Sequence, residues 1–164
     1  MAAMIVPMDE LDLAILDRLQ HDVRQTNREL AAAVGLAPSS CLARVRALRE
    51  AGVIRGAHVD VDLTAIGRSA QAMVALKIKP QAFGSAGTFE RWIADLPETL
   101  SVFMVSGASD FLVHVAVPDT DRLREFVLAL AKRPEIADIR TSIVFDHTRK
   151  QVVEPLGPGR RSTS

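Results

Sequence analysis

Three short stretches with a helical apolar period occupy the start of the chain, and a two-residue alternation takes over after Ala70. Leu11, Ile15, Leu16 and Leu19 share one face, and Asp9 stands where a side chain can cap the first turn, which predicts a helix there. Leu30, Ala31 and Val34 give a second helix, opened by Thr26 and Glu29 at the spacing of a capping box and closed by Gly35. Leu36 belongs inside the turn, and Pro38 sits where a missing N–H costs little, so a third helix starts at once. In it Cys41, Leu42, Val45 and Leu48 fall on one apolar arc. Ser40, Ala43 and Ala47 point the other way, flanked by Ser39, Arg44 and Arg46. Gly52 ends this helix.

Val59, Val61 and Leu63 alternate loosely, which predicts a strand and connector. Ala72, Val74, Leu76 and Ile78 alternate with Gln71, Met73, Ala75 and Lys77 as in a half-buried strand. Phe89, Trp92, Ile93 and Leu96 predict a helix stopped by Pro97. Strands follow at 100–105 and 111–117 around a turn at 106–110, then a helix through Leu123, Phe126, Val127 and Leu130, and a last strand through Ile139, Thr141, Ile143 and Phe145. The order βαββαβ places two helices on one face of a four-stranded antiparallel sheet. Met73, Ala75, Leu112, Ala116 and Val144 then make the other face apolar, and burying it favours a homodimer or higher assembly. The expected organisation is a helix-turn-helix domain at 9–52, a strand and linker at 53–69, the βαββαβ domain at 70–150 and a disordered, proline- and glycine-punctuated tail at 151–164.

The outward face of the third helix is small and basic. Small side chains let a helix approach a groove floor, hydroxyls donate to phosphates or base edges, and flanking arginines reach phosphate or guanine. Ser39, Ser40, Arg44 and Arg46 are therefore candidate contacts to double-stranded DNA, with Arg55 just beyond as a further phosphate contact. The competing reading is a plain helical hairpin with a solvated polar face. Net charge does not decide, because 20 basic residues balance 20 acidic ones; its distribution helps, since residues 39–56 carry net +3 and residues 80–146 net −4. A single cysteine excludes an internal disulfide and offers no metal cluster; Cys41, on the apolar arc, reads as a buried, inert thiol. No cationic N-terminal segment precedes an apolar run, and no window approaches about 18 apolar residues. Neither export nor membrane association is expected, and the cytosol, at the nucleoid, is the expected location.

The phrases LDLAIL at 11–16, VGLAPSSCLARVRAL at 34–48, GVIRG at 52–56 and VSGASDFL at 105–112, in this order, closely resemble the Lrp/AsnC family, or feast/famine regulatory proteins, over about residues 9–150. The resemblance implies an α+β transcription regulator: an N-terminal helix-turn-helix that binds DNA as a dimer, linked to a C-terminal ferredoxin-like (ACT-like, RAM) domain. That domain assembles dimers into larger rings, often octamers, and binds a small effector, in most members an amino acid, with no cofactor and no metal. The family's ligand loop matches Ser106, Gly107, Ala108, Ser109 and Asp110, while Thr141 and Ser142 correspond to another wall of the site between subunits. Asp110 beside the N–H groups of the Gly107-Ala108 turn suits an amino acid's ammonium and carboxylate, although ordinary turn chemistry accounts for the same residues. Two departures stand out. Ala37 occupies a position where many relatives have Ser or Thr, removing the usual cap, and Ala108-Ser109 is less charged than the acidic version of some relatives.

Two rival functions are compatible with the sequence. One is a small dimeric ferredoxin-like enzyme, for which His21, His58, His114 and His147 are the neutral-pH bases, scattered without a nucleophile or carboxylate at a telling spacing. The other is an effector-binding or assembly module without a transcriptional role, against which Arg44 and Arg46 speak.

Overall fold

The computed structural model describes residues 6–156, so the last part of the predicted tail, 157–164, lies outside the described residues. The described chain divides into two compact units, one of residues up to 59 and from 148 onward, the other of residues 60–147.

The first unit holds α1 (Glu10–His21), α2 (Asn27–Ala33) and α3 (Pro38–Glu50). Asp9 and Asp12 form a capping box on α1, and Thr26 and Glu29 form one on α2: Thr26 Oγ1 accepts from the Glu29 N–H at 3.3 Å and Glu29 Oε2 from the Thr26 N–H at 2.7 Å. Gly35 closes α2 with φ +70°, a left-handed conformation that glycine adopts without strain, and the Leu36 N–H returns to the Ala31 carbonyl at 2.9 Å. The Asn27 side chain then donates to the Pro38 carbonyl at 2.8 Å, tying the start of α2 to the start of α3. No side chain caps α3 at Ala37. Ile15, Leu30, Ala31, Cys41, Val45 and Leu48 form the core. Leu42 departs from the expected arc: it lies at the rim, about 100° round the helix from Cys41, and is 38% exposed.

Two further expectations change. No strand forms over 53–63, and Val59 is 87% exposed; the alternation is present, but a strand needs a neighbour for its backbone groups, and among the described residues none lies alongside. Conversely, part of the segment expected to be disordered is pinned. The Gln20 amide donates to the Val153 carbonyl at 3.1 Å and accepts from the Val153 N–H at 2.8 Å, so one side chain satisfies both backbone groups as a neighbouring strand would. Val153 and Pro155 thereby line an open groove with Leu16 and Leu19 of α1.

The second unit is an antiparallel sheet in the order β2-β3-β1-β4, built from β1 (Ala70–Ile78), β2 (Thr99–Met104), β3 (Phe111–Val117) and β4 (Ile136–Val144), with α4 (Ala86–Ala94) and α5 (Thr120–Ala131). A 3-10 turn at Pro80–Ser85 leads into α4. One sheet face packs Ala72, Val74, Leu76, Val113 and Val115 against Phe89, Ile93, Leu123, Phe126 and Leu130 of the helices. On the other face, Met73 is flanked by His114 and Ser142, Ala75 by Leu112 and Arg140, and Gln71 by Ala116 and Val144. Phe103 on β2 faces Leu112 and is 51% exposed, which extends this mixed apolar face to the sheet edge.

Candidate DNA-reading helix and effector loop

The core face of α3 is anchored by Cys41, Val45 and Leu48, which turns Ser39, Ser40, Ala43, Arg46 and Ala47 into solvent. Burial raises the Cys41 thiol pKa, consistent with an inert packing role. Ser39, Ser40 and Arg46 thus share an exposed surface, with Arg55 exposed just past the helix end. Arg44 is different. Its Nη1 lies 2.9 and 2.8 Å from the two Asp9 carboxylate oxygens and 2.7 Å from Asp12 Oδ1, so the arginine expected to reach DNA is instead held against α1. These bonds raise the Arg44 pKa, with Asp12 the larger cause; the Asp9 pKa is lowered, first by the Asp12 N–H and then by Arg44.

In the second unit, Ser106, Gly107 and Ala108 are exposed at the β2–β3 turn, and Gly107 has φ +124°. Ser109 and Asp110 are partly covered. Asp110 is not an open carboxylate: Lys77 Nζ lies 2.8 Å from Oδ1, and the Ile78 N–H donates to Oδ2 at 2.8 Å. The Lys77 bond, then the Ile78 N–H, holds the Asp110 carboxyl below the usual carboxylate range. An incoming ammonium would meet a carboxylate whose two oxygens already have donors. Lys77, one polar position in an alternating strand by sequence, also comes within 3.5 Å of the Gly107 carbonyl. Thr141 and Ser142 are exposed but separated by the pleat: Thr141 pairs with Val74 on the helix-covered side and Ser142 with Met73 on the other. Met73 is four residues along β1 from Lys77, roughly 13 Å at about 3.3 Å per residue. One protomer alone therefore does not bring Ser142 to the loop.

The two units correspond to two known families of domain. Residues 8–55 match the model for a winged helix-turn-helix DNA-binding domain, and residues 71–153 match the Lrp/AsnC ligand binding domain. The chain belongs to the Lrp/AsnC family. The HTH-type transcriptional regulator AldR of Mycolicibacterium smegmatis is 41% identical over 143 residues, covering 87% of this chain and 84% of that one. The crystal structure of AldR from Mycobacterium tuberculosis superposes with a TM-score of 0.70 at 38% identity, over 87% of this chain and 98% of that chain. A Neisseria meningitidis transcriptional regulator solved in complex with L-Met gives a TM-score of 0.82 at 30% identity, over 92% and 97% of the two chains. This Lrp/AsnC protein is accordingly a transcriptional regulator with a helix-turn-helix DNA-binding domain and a ligand-binding domain, and its relatives are regulators, not enzymes. No helix among the described residues is long and apolar enough to cross a membrane.

Proposed function

We propose that this regulator reads operator DNA with the exposed face of α3 and answers to an amino acid bound between subunits of its C-terminal domain. The observation that carries the reading is the surface of α3, where Ser39, Ser40, Ala43, Arg46 and Ala47 stand exposed together without a bulky apolar side chain. Ser39, Ser40 and Arg46 contact bases or phosphates, and Arg55 adds a phosphate contact. A dimer presents two such helices to paired half-sites.

The effector half of the reading is supported by the ligand-binding domain and by a relative solved with L-Met. Residues 106–110 of one subunit meet Thr141 and Ser142 of another, because a single chain keeps the two sets apart. The mixed apolar face carrying Phe103, Leu112 and Met73 supports self-association into a dimer and then a larger ring. An amino acid changes DNA affinity to the extent that it binds one assembly or dimer geometry better than another.

The test is fluorescence anisotropy of a labelled duplex from the protein's own upstream region, at two salt concentrations, with wild type and Arg46→Met, before and after adding mixed amino acids. Salt-sensitive binding that Arg46→Met weakens and the amino acids alter is the expected result. No preference over random DNA of equal length would sink the operator-reading half, and indifference to every amino acid would sink the effector half.

A further inference from the structure

We infer that Asp9 and Asp12 are positioning residues of the DNA-reading unit: they hold Arg44 on α1, fix the flank of α3 and keep its guanidinium off the DNA backbone. The inference rests on the proposed reading of α3 and deepens it. Arg44 lies about 40° round the helix from Ser40 at 100° per residue, so it borders the exposed reading face on the side toward α1. A long basic side chain at that border would otherwise be a ready phosphate contact.

The lock has features that a chance surface pair lacks. Asp9 is already oriented by its capping bond, accepting from the Asp12 N–H at 2.9 Å, so little side-chain freedom is left to lose when Arg44 docks. Asp12 is likewise fixed, because its Oδ2 accepts from the Asp9 N–H at 3.2 Å while Oδ1 accepts from Arg44. The Asp12 side chain is only 18% exposed and that of Arg44 32%, so this is a partly shielded network in place of a single solvated pair. Two carboxylates against one guanidinium leave the cluster with net negative charge, which does not attract phosphate. The same capping motif that starts α1 thus decides which arginine of α3 faces DNA: Arg46, with no such pair of carboxylates upon it, and not Arg44.

The experiment measures operator affinity across a salt series for wild type, Arg46→Met, Arg44→Met, Asp9→Asn/Asp12→Asn, and the last combined with Arg44→Met. Asparagine is as good a cap as aspartate, so the double variant keeps α1, which circular dichroism checks. Arg46→Met is expected to flatten the slope of log K against log salt by about 0.9, the value for one phosphate contact. Arg44→Met leaves the slope at the wild-type value. Asp9→Asn/Asp12→Asn steepens it by about 0.9, and adding Arg44→Met cancels that gain. If Arg44→Met flattens the slope as Arg46→Met does, if the double variant leaves it unchanged, or if the gain survives without Arg44, the lock is wrong while the reading of α3 stands. If no variant changes salt-sensitive binding, the reading of α3 fails and takes the lock with it.

Discussion

Lys77 and Asp110 face each other at 2.8 Å across the boundary between β1 and the β2–β3 turn, and the neighbouring Ile78 N–H takes the second carboxylate oxygen. Asp110 is also tied through its backbone, its N–H donating to the Leu76 carbonyl at 2.9 Å. The loop proposed to bind the effector is therefore buckled to β1 by the residue that looked most like a ligand contact.

Asp110→Ala removes that buckle and leaves the Ile78 N–H without its acceptor, a loss of about 1–3 kcal/mol for a shielded donor. Urea unfolding should show this destabilisation with or without any effector. The pH dependence has a defined sign: a carboxyl with a lowered folded pKa contributes stability that is fully present above its ordinary value of about 3.9 and is lost as pH falls through the lower folded value. Wild type should therefore lose stability relative to Asp110→Ala on acidification below about pH 4, and equal acid limbs for the two proteins would exclude the Lys77–Asp110 interaction as its source.

The local parts of this architecture are legible in the sequence because their partners are near neighbours. Thr26 and Glu29 find each other within one turn, and the alternation from Ala72 to Ile78 states which face of β1 is buried. The fate of the charged residues is not local. Arg44 meets carboxylates 35 and 32 residues earlier, Lys77 and Asp110 are 33 apart, and Gln20 and Val153 are 133 apart. No spacing rule announces such pairs. The alternation at Val59, Val61 and Leu63 misleads for the opposite reason: a strand pattern specifies two faces but cannot supply the neighbouring strand that its backbone requires.

The helix ends offer a paired stability test. Thr26→Ala removes the cap of α2 and should cost about 0.5–2 kcal/mol. Ala37→Ser supplies the side-chain acceptor that α3 lacks and should stabilise by a similar few tenths to about 1 kcal/mol. Opposite shifts in the urea midpoint at unchanged m-value are expected, and a destabilised Ala37→Ser would mean that the backbone at Ala37 cannot present a serine hydroxyl to the first free N–H groups.

His114 supplies the second pH-dependent element. Its Nε2 lies 3.0 Å from Gln71 Oε1, and its ring meets His147 edge-on at 5.5 Å. Burial first, and the charge of His147 second, lower its pKa. With the folded value depressed, the neutral form is favoured, so the His114 contribution is complete above about pH 6.5 and is lost as pH falls below that through the folded value. An NMR titration of the imidazole protons should place His114 below an unfolded histidine. His147→Ala should raise it part of the way back, since the larger burial effect remains; no change would remove His147 as a cause.

Gln20 makes a polar contact 133 residues along the chain, and its removal has a specific consequence. Gln20→Ala takes away both the donor to the Val153 carbonyl and the acceptor for the Val153 N–H, the two hydrogen bonds that tie Val153 to α1. Gln20 is half-buried near the C-terminal end of α1 and outside the core of the first unit, so α1 itself should survive the change. The expected result is faster hydrogen exchange at the Val153 amide and faster proteolytic trimming after Lys150, with little change in global stability. If both rates match wild type, the Gln20 hydrogen bonds do not pin the segment; if the thermal midpoint falls as well, the segment is part of the cooperative core of the first unit and not an appendage laid upon it.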